Sequence, residues 1–312
     1  MNPISFIFLN GEFQKKQSAI AALPKEVEFQ CTPKSIFLRF PKMLTLKTPI
    51  QFVFLGTKKY ELNNTIIVEE NCRINFIEEY SNHLDKKNET HVNTEITLHP
   101  HAHFDFYKLQ KENSGSSHHA NFSVTQRESS QLQMFTMDCG GLTAKHAIKV
   151  QLAEKHASCA LHGLYLLEHD QQHVEHQVLV DHIAPFGKSA MFYKGVLDND
   201  AEAKFTGRVK VHAGAKQSKA AQENHHLLLS KRAIAKSEPE LEIYANDIQC
   251  THGATVGQID PAAIFYLCSR GMDRATAIDY LCKAFSTEVL NKIKLESVRE
   301  YMTREAGCNV QS

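Results

Sequence analysis

The sequence predicts a mainly β protein that ends in a small α-helical module. Three observations carry this. From about residue 46 to 250, short runs of alternating apolar and polar residues follow one another, each roughly four to nine residues long and separated by polar or small residues. Nothing in that stretch sustains a helical period. Over 258–312 the pattern changes to one apolar face every three to four residues, with capping signals at the joints.

Taken in order, residues 4–13 alternate into Asn10-Gly11 and resume at Phe13, a hairpin signal. SAIAAL (18–23) reads as a short helix stopped by Pro24, and VEF (27–29) is strand-like. The runs that follow are IQFVFL (50–55), TIIVEE (65–70), RINFIEEY (73–80), TEITL (94–98), HFDFYKL (103–109), ANFSVTQ (120–126) and QLQMFTM (131–137). They continue with HAIKVQL (146–152), CALHGLYLL (159–167), HVEHQVLV (173–180), SAMFYKGVL (189–197), AKFTGRVKV (203–211) and HLLLS (226–230). Such a chain can close as a sandwich, a barrel or a solenoid. A loose recurrence of apolar residue, polar turn, alanine and strand places Ala102, Ala157, Ala201 and Ala215 at equivalent points. Small residues suit the tight inward corners of stacked strands, but ordinary hairpin turns fit the irregular spacing equally well.

In the tail, Asp260-Pro261 supplies an N-cap and a first-turn proline, and Ile264, Leu267 and Cys268 share a face. Arg270 falls in the last turn and Gly271 at the left-handed position that ends a helix. Asp273 caps a second helix carrying Ile278, Leu281, Cys282 and Phe285. Thr287 is expected to cap a third, with Leu290, Ile293 and Val298.

Composition narrows the function. Lys+Arg and Asp+Glu both number 35, so the net charge is zero and the chain has no general attraction for nucleic acid or acidic lipid. Eight scattered cysteines, with no C-x-x-C pair, suit reduced thiols in a cytoplasmic protein. The opening MNPISFIFLNGEF lacks a basic segment and a small-residue cleavage site, so no secretory leader is expected. No apolar stretch reaches the roughly 18 residues a membrane span needs. There are 18 histidines and no tryptophan.

The most specific segment is PELEIYANDIQCTHGATVGQIDPAAIFYLCSRG (239–271), centred on Cys250-Thr251-His252-Gly253-Ala254-Thr255-Val256-Gly257. It resembles the signature of the SufB/SufD family of iron–sulfur cluster assembly proteins, and SufD more than SufB. FLNGEFQKKQSAIAALPKEVEF (8–29), RINFIEEYSN (73–82) and VLVDHIAPFGKSAMFYKGVL (178–197) extend the resemblance over nearly the whole chain. Family members commonly carry a helical region ahead of the N-G hairpin, whereas this sequence starts at the hairpin.

The resemblance implies a right-handed parallel β-helix with a small C-terminal α-helical domain. It divides the chain into an N-terminal hairpin and opening segment (1–45), a β-helix core (46–257) and a helical domain for ATPase docking (258–312). It also implies a non-enzymatic scaffold that pairs with SufB through the β-helix ends and carries a SufC ATPase, with sulfur reaching the complex from a cysteine desulfurase system. A homodimer is the alternative pairing. An iron–sulfur cluster would assemble transiently at the SufB interface and ATP would be bound by the partner, so no tightly held cofactor is expected in the isolated chain. Consistently, the sequence has no G-x-x-x-x-G-K-[ST] phosphate loop.

Cys250 and His252 are the candidate cluster, sulfur or iron ligands. Two apart on a strand, they face the same way about 7 Å apart, and thiolate and imidazole suit iron–sulfur chemistry. Two ligands are too few for a cluster, so SufB must complete the site. A neighbouring imidazolium is expected to lower the Cys250 thiol, and Gly253 and Gly257 to permit a tight exit from the strand. The competing reading is a buried cysteine beside a backbone-bonded histidine. For SufC docking the candidates are Phe265, Tyr266, Arg270, Met272 and Phe285, against simple packing of the module as a solenoid cap. Three histidine groups (His99, His101 and His103; His118 and His119; His169, His173 and His176) resemble metal sites but fit exposed polar strand faces better. Cys139-Gly140-Gly141 reads as a turn. The alternatives are a Cys/His-dependent or metal-dependent β-helix enzyme, including a carbohydrate-processing one, which the missing tryptophan and leader count against.

Overall fold

A computed structural model describes residues 3–82 and 86–307; Cys308 lies outside them. The first strands are β1 (Ile4–Leu9), β2 (Glu12–Phe13), β3 (Glu28–Thr32), β4 (Ser35–Phe40), β5 (Ile50–Gly56), β6 (Tyr60–Val68) and β7 (Arg73–Asn82). The middle ones are β8 (Glu89–Leu98), β9 (His103–Gln110), β10 (Ser117–Gln126), β11 (Gln131–Asp138), β12 (Thr143–Leu152) and β13 (Ser158–Leu167). The last are β14 (His173–His182), β15 (Lys188–Leu197), β16 (Glu202–Val211), β17 (Lys219–Leu228), β18 (Ile234–Ile243) and β19 (Gln249–Gln258). Three helices follow, α1 (Pro261–Ser269), α2 (Arg274–Leu290) and α3 (Glu296–Glu305).

One sheet runs β19-β17-β15-β13-β11-β9-β7-β5-β1-β2 and the other β18-β16-β14-β12-β10-β8-β6-β4-β3. Successive strands therefore alternate between sheets, and the chain winds as a parallel β-solenoid of about seven turns. Only the first turn departs from this. There β2 folds back antiparallel on β1, and β3 antiparallel on β4. β1 is itself the parallel partner of β5, which ties the opening hairpin into the solenoid.

One corner recurs in every coil. Asn71, His101, Ser129, His156, Phe186, Gln217 and Asp247 all adopt positive φ, between 55 and 65°. The residue after each is Cys72, Ala102, Ser130, Ala157, Gly187, Ser218 or Ile248, and all but the half-buried Ile248 are buried. Each of the first six corner N–H groups donates to a carbonyl of the next corner, as in His101 to Glu128 and His156 to Pro185. A small side chain fits where the chain reverses inside the covered coils, which accounts for Ala102 and Ala157; Ile248 takes the position in the last, open coil. Ala201 and Ala215, also buried, sit at other bends.

Inside the first coils, strand stacking becomes ring stacking. Phe8, Phe54 and Tyr80 are register partners, with centroids 4.8 and 4.7 Å apart, the spacing of neighbouring strands. The outer face of the odd-numbered sheet forms a second core, where Tyr107, Phe135, Leu164 and Phe192 pack beneath Cys282, Val289, Val298 and Met302 of the helices.

Two expected elements are corrected. Residues 18–23 form no helix: a 3-10 turn at Lys15–Gln17 leads to Ala19, which bridges Ser5 in extended form. The third helix starts at Glu296, not at Thr287. The Thr287 hydroxyl donates back to the Lys283 carbonyl inside α2, so it does not act as a cap. The other caps form as expected: Asp260 accepts from Ala262, Asp273 accepts from Thr276, and Gly271 has φ 91°.

Candidate functional site at the open end of the solenoid

β18 and β19 make the last coil, and among the described residues each has a strand neighbour on one side only. Their free edges differ. On β18, Glu238, Glu240 and Glu242 are tied back to Lys204, Arg208 and Lys210 of β16, and Pro239 withholds a donor. Charge and proline are the ordinary means of blunting an edge. β19 reads QCTHGATVGQ, with no formally charged residue and no proline. Its row of backbone donors and acceptors is the one left open to pairing.

Cys250 and His252 lie on this strand. Cys250 is opposite Ala220 and His252 opposite Gln222, both buried, so the pair continues the inward-facing ladder past the last covered coil. Cys250 is half-buried against the main core, and His252 is exposed. The thiol is pushed up by burial, partly offset by a backbone hydrogen bond at Ala220; the expected lowering by His252 is not what governs it. Gly253 sits in the middle of β19 and Gly257 one residue before its end. A side chain at either would meet nothing within 4 Å. A trough of about 930 Å³ runs along the outer face of the odd-numbered sheet over Ala160, Ala190 and Ala221 and reaches Thr251, between Cys250 and His252.

The helical candidates separate into two places. Phe265 and Tyr266 are 74% and 58% exposed on α1, and the Arg270 guanidinium lies 5.3 Å from the Tyr266 ring centroid. Met272 follows in the half-buried joint to α2. Phe285 instead packs toward the solenoid, against the second core.

The histidine groups do not behave as the alternation suggested. His99 and His101 belong to a corner and only His103 to β9, so the three share no strand face. His169 lies in an exposed loop, and His173 and His176 fall on opposite faces of β14. His119 faces outward and stacks on His91 at 4.8 Å. His118 and His176, expected on exposed faces, are buried in the lumen.

They belong to a polar file inside the solenoid that the sequence reading missed. The Tyr80 hydroxyl donates to Glu78, Lys108 bonds His118, His118 Nδ1 is 2.8 Å from Glu112, and Tyr165 bonds His226. Asp138, His146 and His176 form the middle of the file. Strand parity held the signal: Phe104 and Phe106 point inward on β9, so Lys108 and Gln110 must too.

Residues 57–285 match the family model described as the SUF system FeS cluster assembly, SufBD core domain. The chain belongs to the SufB/SufD family. Within it the likeness is to SufD: the chain is 27% identical to the iron–sulfur cluster assembly protein SufD of Escherichia coli over 76% of its own length and 56% of that protein. It is 23% identical to SufD of Bacillus subtilis over 85% of its length and 62% of that protein. It is also 27% identical to an iron–sulfur cluster assembly SufBD family protein of Synechocystis over 86% of its length and 62% of that protein. The chain thus spans about three-fifths of the length of these relatives. Among the described residues no helix is long and apolar enough to cross a membrane.

Proposed function

We propose that this SufB/SufD-family chain is a SufD-type scaffold subunit in iron–sulfur cluster assembly. On this reading it is not an enzyme. It pairs through the open end of its solenoid with a SufB-like subunit and carries a SufC-like ATPase on its helical module. The observation that carries the reading is Cys250 and His252 on the inward ladder of a strand whose outer edge has no partner. A second solenoid adding its strand to β19 would gain main-chain hydrogen bonds in the manner of β-augmentation. It would also cover two ligands that need more from across the joint, since a cluster takes about four. The raised thiol fits a site completed only on pairing, because iron must displace its proton. The exposed Phe265, Tyr266 and Arg270 offer an aromatic and cationic patch of the kind a partner groove accepts.

The deciding experiment is a tagged pull-down from the native cytoplasm, run in parallel with the Cys250→Ala/His252→Ala variant. Co-elution of a SufC-like ATPase and a SufB-like subunit with both forms, with cluster assembly restored by wild type alone, supports the scaffold and the site together. Absence of any ATPase from the wild-type eluate removes the scaffold assignment. Turnover of a substrate by the isolated chain would point instead to a Cys/His enzyme.

A further inference from the structure

The lumen of a solenoid is ordinarily apolar, since every inward side chain is removed from water. Here the middle coils enclose three ligand-type residues with no solvent contact to speak of. Asp138 ends β11, and His146 and His176 are register partners on β12 and β14. Asp138 and His146 are 1% and 2% exposed and His176 is 0%. His146 Nε2 is 2.8 Å from Oδ1 of Asp138, and His176 Nε2 is 2.8 Å from Oδ2. The two imidazoles stack with centroids 4.6 Å apart.

We propose that Asp138, His146 and His176 form a buried site for one divalent first-row metal ion. The ligand atoms all lie within 4.8 Å of one another. Bonds of about 2.1 Å at angles of about 90–110° put ligand atoms roughly 3–3.4 Å apart, so small side-chain shifts suffice. Two imidazoles and a carboxylate suit zinc or ferrous iron.

Two further observations point to a cation. The first is unsatisfied polarity. Nδ1 of both His146 and His176 is buried without a hydrogen-bond partner, as is Oε1 of Gln110, the register partner of Asp138. An ion among the Nε2 and Oδ atoms would leave both Nδ1 atoms as they are, so it is the orphaned Gln110 oxygen that points to a cation. Gln110 is one rung from the carboxylate and offers a further oxygen.

The second is the composition of the polar file: three buried carboxyl side chains, Glu78, Glu112 and Asp138, stand against one buried lysine, Lys108. A divalent ion enclosed as the coils close would balance these acids and pin β11, β12 and β14 together. This site is separate from Cys250 and His252 at the rim and does not depend on how the chain takes part in cluster assembly.

The test uses untagged full-length protein, with metals measured by mass spectrometry after desalting. Wild type and the Cys250→Ala/His252→Ala variant are expected to carry about one zinc or iron per chain, and Asp138→Asn and His176→Gln at least tenfold less. Because a lumen variant can fail to fold, wild type is also refolded from denaturant with chelator or with zinc. Zinc should raise Tm by about 5 °C or more, and cobalt in its place should give visible d–d absorption. Wild type free of metal above background, with Tm indifferent to zinc, overturns the proposal. So does loss of the metal in the Cys250/His252 variant with retention in Asp138→Asn, which would assign the ion to the rim.

Discussion

The Lys194 ammonium lies 4.1 Å from the centroid of the Phe285 ring and donates to the Phe285 backbone carbonyl at 3.0 Å. Lys194 is on β15 and only 4% exposed, so it joins the solenoid to α2 from beneath, with Glu288 as its counter-charge. Lys194→Met should cost about 2 kcal/mol in urea unfolding, the scale of a hydrogen bond to a charged group. Amides of α2 should exchange faster while those of β11 to β15 do not. Uniform acceleration across the chain would show that Lys194 supports the solenoid and not the joint.

Two tyrosines and two glycines interlock across β13 and β15. Gly163 is the register partner of Tyr193, and Tyr165 that of Gly195. A methyl at Gly195 would meet the Tyr165 ring at 2.0 Å, and one at Gly163 the Tyr193 ring at 2.3 Å. Gly195→Ala is expected to cost about 2–3 kcal/mol by overpacking. Combining it with Tyr165→Leu should cost less than the two changes summed, because the second removes what the first strikes. Strict additivity would deny the contact.

Glu78 makes the stability pH-dependent. Burial pushes its carboxyl up to about 7 against the pull of Lys108 and the Tyr80 hydroxyl, from 4.5 in the unfolded chain. The folded protein therefore holds this proton where the unfolded chain has lost it. The contribution is full below about pH 4.5 and is lost as pH rises to about 7. Between pH 5 and pH 8, Glu78→Gln should gain about 2–3 kcal/mol relative to wild type. Denaturation midpoints at the two pH values measure it; a difference that does not change with pH would mean the group titrates alike in both states.

Thiol labelling should rank the cysteines. Cys159 is buried and Cys139 half-buried, both pushed up to about 12, chiefly by burial, while Cys250 is raised by the same cause at a half-buried rim. Iodoacetamide at pH 7.5 should modify Cys250 more slowly than a small free thiol and faster than Cys139 or Cys159. Rapid labelling of Cys250 would mean that His252 or another cation does activate it.

How much of this was legible in the sequence depends on which rule each segment obeys. Alternation located most of the strands from β5 to β17, because one face of each is buried and the other is not. It missed β18, whose PELE stretch has few apolar residues to alternate. The coil period was hidden because it varies: Ser117 lies opposite Glu89 and Thr143, a step of 28 residues and then 26. The corner recurs in conformation more than in residue type, since cysteine, alanine, serine and glycine serve in the covered coils and isoleucine in the last. The polar lumen was obscured for a related reason. Lys108 and Asp138 occupy inward positions, where the pattern leads one to expect Leu or Phe. Cys250 and His252 were found through the motif around them, not through any local chemistry that marks them out.

The two ends of the solenoid differ, and on the proposed pairing this bears on valency. At the first turn the sheets finish in β2 and β3, of two and five residues, folded back on their own neighbours. Short outer strands of this kind present little to extend. At the last turn β19 presents ten residues with neither formal charge nor proline. A solenoid adhesive at both ends would string into filaments of indefinite length. On the pairing proposed above, one with a single adhesive end is used up by its first contact, and association by that route would stop at two.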